Sequence, residues 1–417
     1  MILITIFCLI CILQTIRIFI SYRYLTNHIV ETNFKQTKDI FIIVPVLQEQ
    51  NLIEDSVTTL SKLITYKTHL VYVTSAKEKR QKNTPTTLDL LNELKHKYPI
   101  EIIHCPLTKN AVMAHQINYA IKKLKQKIKQ EFIIGIYNVD SQITQSTIQD
   151  VCKFFNQVDS DHSVLQQYTL YPSQSGGILS HIALWQNRWT LHFELGRILI
   201  GNNPYFSHFC QTFNYVIGHG LFFTSTLWRV IDEIPQDISN EDACLGLILY
   251  TQNLRIYPIK HIEYALIAKN INVYIKQQSV WFNGPLYSFL YAGKICKKFH
   301  LNLKLRFKCY IGALKLFTHA VYWLFGPISI WLIIPMYLYP NIPFMVVWWL
   351  LAVYHCYCLN LITMYCVNKI KAQTIQNVGN LFDAIVAYLF HCVGPIYTLI
   401  KIIRGKNSMK FKYKTEK

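Results

Sequence analysis

The chain has 417 residues, 52% of them hydrophobic, enough to bury a sizeable core and leave apolar sequence over for something beyond a soluble domain. Its 42 Lys and Arg against 23 Asp and Glu give a formal charge of +19, which asks for an anionic partner. The basic residues crowd toward apolar borders with no stacking motif beside them, which argues against nucleic acid and for lipid headgroups or a phosphorylated substrate. Among the 12 cysteines the only CxxC pair, Cys8 and Cys11, lies inside an apolar run. A zinc site or disulfide framework is therefore poorly supported, and the thiols read as small apolar fillers in a reducing compartment.

Met1 to Ile20 is almost continuously apolar and long enough to cross a bilayer, and no small-residue cleavage site follows it. Residues 1–22 read as a retained anchor. Arg17, Arg23, Lys35 and Lys38 on its C-terminal side place the next domain in the cytoplasm, with the cell (inner) membrane as the expected site.

From Asp39 to Pro258 strands alternate with helices. Strand-like runs are Ile40 to Val46, Leu70 to Thr74, Ile100 to His104, Phe132 to Tyr137 and Val164 to Leu170. Helical stretches fall near Asn51 to Ile64, Thr86 to Lys97, Val112 to Lys125 and Thr144 to Phe155. This order predicts an α/β fold, a mostly parallel sheet with covering helices and without the glycine fingerprint of dinucleotide binders, over a domain of residues 39–285. The basic run Lys122 to Lys129 reads as a solvated helix face.

Residues 286–310 form a basic segment suited to the headgroup zone, with Lys294, Lys297, Lys298, Lys304, Arg306 and Lys308. The alternation from Leu301 to Lys308 is strand-like. Residues 311–403 hold three apolar stretches, Ile311 to Tyr339, Ile342 to Val367 and Leu381 to Ile403, each long enough to span. If all three cross, the basic tail 404–417 lies outside, against the positive-inside rule. Asp383, His391 and Gly394-Pro395 offer another arrangement, with the last stretch re-entrant or interfacial.

Asp140 ends the run FIIGIYNVDS, and in an open α/β sheet an acid beyond the carboxyl end of a strand faces the ligand crevice. A turn or a cap for the helix from Gln145 explains it equally well. Four other stretches line up around it. They are Pro45 to Glu49 after the first strand, KNAVMAHQINYA with Lys109 and Asn118, Gly218-His219-Gly220 before Asn240 to Gly246, and Lys276 to Trp281 at the membrane border.

In this order, from Asp39 to Trp281, the chain resembles the membrane-bound branch of glycosyltransferase family 2. These are inverting enzymes of GT-A fold that include chitin, hyaluronan and cellulose synthases and ceramide glucosyltransferase. PVLQEQ resembles the family's PxxNE segment, NVD its DxD, NEDACLGLIL its ED motif and KQQSVW its QxxRW. The resemblance implies a nucleotide-sugar donor, a lipid or polysaccharide acceptor, membrane lipids as surroundings and possible export or synthase subunits.

It further implies a divalent cation, Mg2+ or Mn2+, on Asp140 and the donor phosphates, with Asp242 as general base toward the acceptor hydroxyl. Pro45, Glu49, Lys109 and Asn138 fall on the donor side by the same resemblance. Glu241, His219, Gln277, Gln278 and Trp281 fall on the acceptor and closing side. The chemistry suits such a set, because negative charge grows on the departing diphosphate while a proton leaves the acceptor.

Plain structural readings stand beside these. Asp242, Asn240 and Glu241 compete as caps of a helix Ala243 to Tyr250, Glu49 suits a first helical turn, Lys109 a surface, His219 a turn, and Trp281 an interfacial anchor. Three departures are visible. Val280 replaces the arginine of QxxRW, Asn138 replaces the first acid of DxD, and the second strand ends in Val73 to Glu78 without the aspartate the resemblance implies. They keep open a non-catalytic subunit that retains the fold, next to a transferase adding a single sugar to a membrane lipid.

Overall fold

The structure, a computed structural model, describes residues 1–27, 36–78, 84–107, 113–157, 162–172, 176–203, 205, 213, 215–236, 238, 240–265, 267–268, 270–371 and 379–405. Its sheet is built around β1 (Ile40–Pro45), which has no polar side chain. Such a run suits the centre of a parallel sheet covered on both faces. β1 lies between β2 (Thr68–Ser75) and β4 (Ile133–Ile136) and is parallel to both, with β3 (Ile100–Cys105) beyond β2.

Side chains alternate across the sheet. Phe41 and Ile43 pack with Ile117, Ile121 and Leu124 of helix Met113–Lys127. Ile40, Ile42 and Val44 pack on the other face, in a core with Val57, Leu91 and Ile148 from helices Ile53–Leu60, Thr87–Leu94 and Gln145–Gln157. Lys122, Lys123, Lys127 and Lys129 are exposed, as a solvated face requires.

Later strands are β5 (Ser163–Gln166), β6 (Thr169–Leu170), β7 (Leu221–Thr224), β8 (Arg255–Pro258) and β9 (Glu263–Tyr264). Among the described residues the main sheet runs β3-β2-β1-β4-β7-β5-β8, with only β7 antiparallel to its neighbours. The chain steps outward from β1 to β3, then returns past β1 to β4. The winding therefore reverses between β1 and β4, where open α/β sheets form their ligand crevice.

Two expectations are corrected. Val164 to Leu170 is not one strand, because after Gln166 the chain leaves the main sheet and β6 pairs with β9 instead. Gln167 marks the exit, its N–H donating to Gly220 O at 2.7 Å. Leu301 to Lys308 is not strand-like either. Asn302 caps helix Leu303–Ile328 by accepting from Leu305 N–H at 3.0 Å. Leu303 and Phe307 are 84% and 70% exposed while Cys309, Ala313 and Leu316 are buried. Where a helix is apolar on its outer face as well, a period of two no longer reports a strand.

Among the described residues four helices are long and apolar enough to cross a membrane: Ile2–Thr26, Leu303–Leu338, Ile342–Ile370 and Leu381–Ile403. The last is one unbroken 23-residue helix with Pro395 inside it. It seats on helix Ile271–Leu286, where a Cβ on Gly394 would lie 2.5 Å from Gln278 Cβ, and Thr398 Oγ1 donates to Ser279 O at 3.0 Å. The helix carrying Lys276 to Trp281 is thus clamped between this apolar helix and the sheet domain. From Tyr264 to Phe382 the sequence contains no Asp or Glu, so every fully charged side chain in this stretch is Lys or Arg.

Candidate functional site at the β1 and β4 ends

Ile43 pairs with Ile136, the last residue of β4, and β1 runs two residues further, alongside the chain leaving β4. Pro45 closes β1, and Asn138 to Asp140 leave β4 beside it. Asp140 lies half-buried in a turn in which Asn138 N–H donates to Ser141 Oγ at 3.1 Å. It does not cap the next helix. Thr144 does, its Oγ1 accepting from Thr147 N–H at 3.3 Å.

The Gly218-His219-Gly220 loop enters the sheet at this same edge. Gly220, at φ 66°, donates its N–H to Ile136 O at 2.8 Å, and a Cβ there would meet the Gln167 carbonyl oxygen at 2.9 Å. This is a left-handed position that glycine alone occupies without strain. Gln166 Nε2 donates to His219 O at 2.8 Å. At the other end of the loop, a Cβ on Gly218 would lie 2.7 and 2.8 Å from the two oxygens of Asp242.

Asp242 opens helix Glu241–Thr251 but is not its cap, because Asn240 Oδ1 accepts from Ala243 N–H at 3.1 Å. Asn240 Nδ2 also reaches Trp281 O at 3.5 Å, and a Cβ on Gly284 would meet Asn240 at 3.0 Å. The ED stretch therefore abuts the helix carrying Gln277, Gln278 and Trp281. One short loop joins the carboxylate of Asp242 to the strand end that leads to Asp140.

The remaining expected residues separate. Glu49 contributes its backbone to the start of helix Ile53–Leu60, with O accepting from Ile53 N–H and N–H donating to Thr87 Oγ1, both at 3.0 Å. Glu241 is 9% exposed in the first helical turn. Gln278 is 3% exposed and packs against Gly394, toward the apolar helix. Gln277 Oε1 is buried with no hydrogen-bond partner among the described residues. Asn118 is structural, exchanging two hydrogen bonds with the Ile234 backbone at 2.9 and 3.0 Å. Lys109 lies outside the described residues.

The sequence reading missed two acids. Glu263, on β9, holds His219 Nδ1 at 2.8 Å, with side chains 2% and 15% exposed. Removing one partner from so buried a pair costs ~3–5 kcal/mol. Glu194 sits beside it on the helix running through 177–201 and accepts from Tyr215 Oη at 2.8 Å and Thr190 Oγ1 at 3.1 Å. Burial pushes the Glu194 carboxyl above the usual range, while these donors and the nearby His219 pull it back. Burial likewise raises the Tyr171 phenol, and Glu194, Glu263 and Asp140 add to the rise, which places all three acids within electrostatic reach of one ring. An acid alone in an apolar run, as in LHFELGRIL or HIEYALI, was the available signal.

No group of three or more metal-ligating side chains occurs among the described residues. A single carboxylate at the ends of β1 and β4 still fits Mg2+ or Mn2+ if a phosphorylated ligand lies there, because such ions use one or two carboxylates and complete their shells with substrate phosphate and water.

No family model and no curated protein matches the chain. Among solved structures it is similar to the mannosyltransferase PcManGT from Pyrobaculum calidifontis in complex with GDP-Man and Mn2+, at 12% identity and TM-score 0.49, covering 95% of this chain and 97% of that one. It is also similar to S. aureus TarS 1–349, at 14% identity and TM-score 0.43 over 88% and 92% of the two chains. The same TarS fragment with UDP-GlcNAc gives 12% identity and TM-score 0.41.

Proposed function

We propose that this protein is a membrane glycosyltransferase of GT-A type, resembling family 2. It takes a sugar from a nucleotide donor and passes it, with inversion, to a lipid-linked or growing polysaccharide acceptor at the bilayer. The observation that carries this reading is the Gly218 to Gly220 loop, which touches the Asp242 carboxylate at one end and the β4 end leading to Asp140 at the other.

In this reading the donor diphosphate lies across the ends of β1 and β4, against Asn138 and Asp140. Asp140 would hold Mg2+ or Mn2+, which supplies positive charge to the departing diphosphate when bound. Asp242 takes the proton of the acceptor hydroxyl as its oxygen bonds to the anomeric carbon, and the bond to the diphosphate breaks on the opposite face. Gln277 and Trp281 close the acceptor side next to lipid. The sheet domain faces the cytoplasm, a placement supported by the basic residues behind the first helix.

Full-length protein in nanodiscs, supplied with a panel of nucleotide sugars and Mg2+ or Mn2+, is expected to release nucleoside diphosphate from one of them. Release from none, by a folded preparation, would leave the non-catalytic subunit as the better account. Product length separates a polymerising enzyme from one adding a single sugar to a membrane lipid. Gly218→Ala is a sharper probe. Its backbone accepts a side chain, but the new methyl group must displace the Asp242 carboxylate. Transfer is expected to fall about 100-fold for a shift near 1 Å, at a stability cost of about 1 kcal/mol, read by thermal melting.

A further inference from the structure

We propose that Glu263 is a positioning residue for His219, and that the His219 imidazolium it holds meets the departing diphosphate in place of the arginine absent at Val280. This rests on the glycosyl-transfer reading. The loop bearing His219 is fixed from three sides, by Gln166 Nε2 on His219 O, by Ile136 O on Gly220 N–H, and by Gln167 N–H on Gly220 O. Its ring is then fixed through Nδ1 by Glu263 at 2.8 Å, so Nε2 turns away from β9. When protonated, both ring nitrogens are donors.

The groups around the pair favour the cation. They are the carboxylates of Glu263 from β9, Glu194 from the helix through 177–201 and Asp242 against the adjoining Gly218, while the nearby phenols of Tyr137, Tyr168 and Tyr171 are held uncharged by burial. A carboxylate in contact with an imidazole stabilises its charged form. The loop itself lies over the end of β4, whose continuation carries Asn138 and Asp140. A cation here therefore stands where the donor's negative charge develops.

The step balances without covalent change at His219. The acceptor oxygen bonds to the anomeric carbon, the bond to the diphosphate oxygen breaks with its electron pair on that oxygen, and the acceptor proton goes to Asp242. His219 Nε2–H donates a hydrogen bond to the diphosphate throughout.

Binding of uridine and guanosine diphosphate to the full-length protein, by calorimetry with Mg2+ from about pH 5.5 to about pH 9, brackets the imidazole range. Wild-type affinity is expected to drop about tenfold as the imidazolium is lost with rising pH, the worth of one charge-assisted hydrogen bond. Glu263→Gln keeps a hydrogen-bond acceptor but removes the charge, and should move that drop roughly one unit toward acid. Glu263→Asp should restore it in part, and His219→Asn should abolish it.

A Glu263→Gln profile superimposed on the wild type, or a pH step surviving in His219→Asn, overturns the inference while leaving the transferase reading intact. If Glu263→Gln lowers only the melting temperature, the residue is structural and the inference likewise fails. If the wild type binds neither nucleotide at any pH, the transferase reading fails and this inference with it.

Discussion

Asp242→Asn is expected to lower kcat for sugar transfer by about 10²–10⁴-fold, the usual contribution of a general base, while nucleoside diphosphate affinity stays within about threefold, a difference below 1 kcal/mol. The substitution is nearly isosteric, and the helix start does not depend on it, because Asn240 supplies the cap. A folding defect is thus a poor explanation for lost activity in this variant. Diphosphate release and calorimetric binding, measured on one preparation, test the pair of expectations. Retained turnover would remove Asp242 from the mechanism.

Asp140→Asn should act on the other substrate. It removes the one acid at the end of β4, and the neighbouring Asn138 cannot replace it as an anionic ligand. The Mg2+ or Mn2+ concentration for half-maximal diphosphate release should rise by at least about 100-fold, given that changes even to outer-shell partners of a metal cost 10–100-fold. Stability should change little, since asparagine is nearly isosteric with aspartate and the turn keeps the bond from Asn138 N–H to Ser141 Oγ. A metal titration unchanged from wild type would show that Asp140 is not a ligand. Activity lost at every metal concentration together with a lower melting temperature would point instead to a structural role in the turn.

Much of the architecture is written locally. The all-apolar Ile40 to Pro45, the amphipathic spacing of Ile117, Ile121 and Leu124, and the long apolar helices at both ends announce their elements, because burial on one or both faces imposes its own period. The local code failed where surroundings set the period. Leu301 to Lys308 alternates like a strand, yet from Leu303 it becomes helix because Asn302 caps it and the outer Leu303 and Phe307 have little protein cover. At Gln166-Gln167 nothing in the composition announces a change of sheet, which depends on Gly220 and β9 arriving from far along the chain.

The candidate site divides in the same way. Sequence alone left Asp140 balanced between a ligand-facing acid and a turn or cap, and gave Asp242 as a base only through the family resemblance, with a helix cap the plainer reading. Tertiary structure gave the caps to Thr144 and Asn240 and placed Asp140 in a turn, as its plain reading also allowed. It brought Gly218 to Asp242, and it supplied Glu263 and Glu194, acids hidden in apolar runs that look like ordinary core. The periodicity of a segment reports only which of its faces is buried. Which distant residue meets that face is decided by strand order and crossover, so the pairing of His219 with Glu263 exists only once β6 and β9 have found each other.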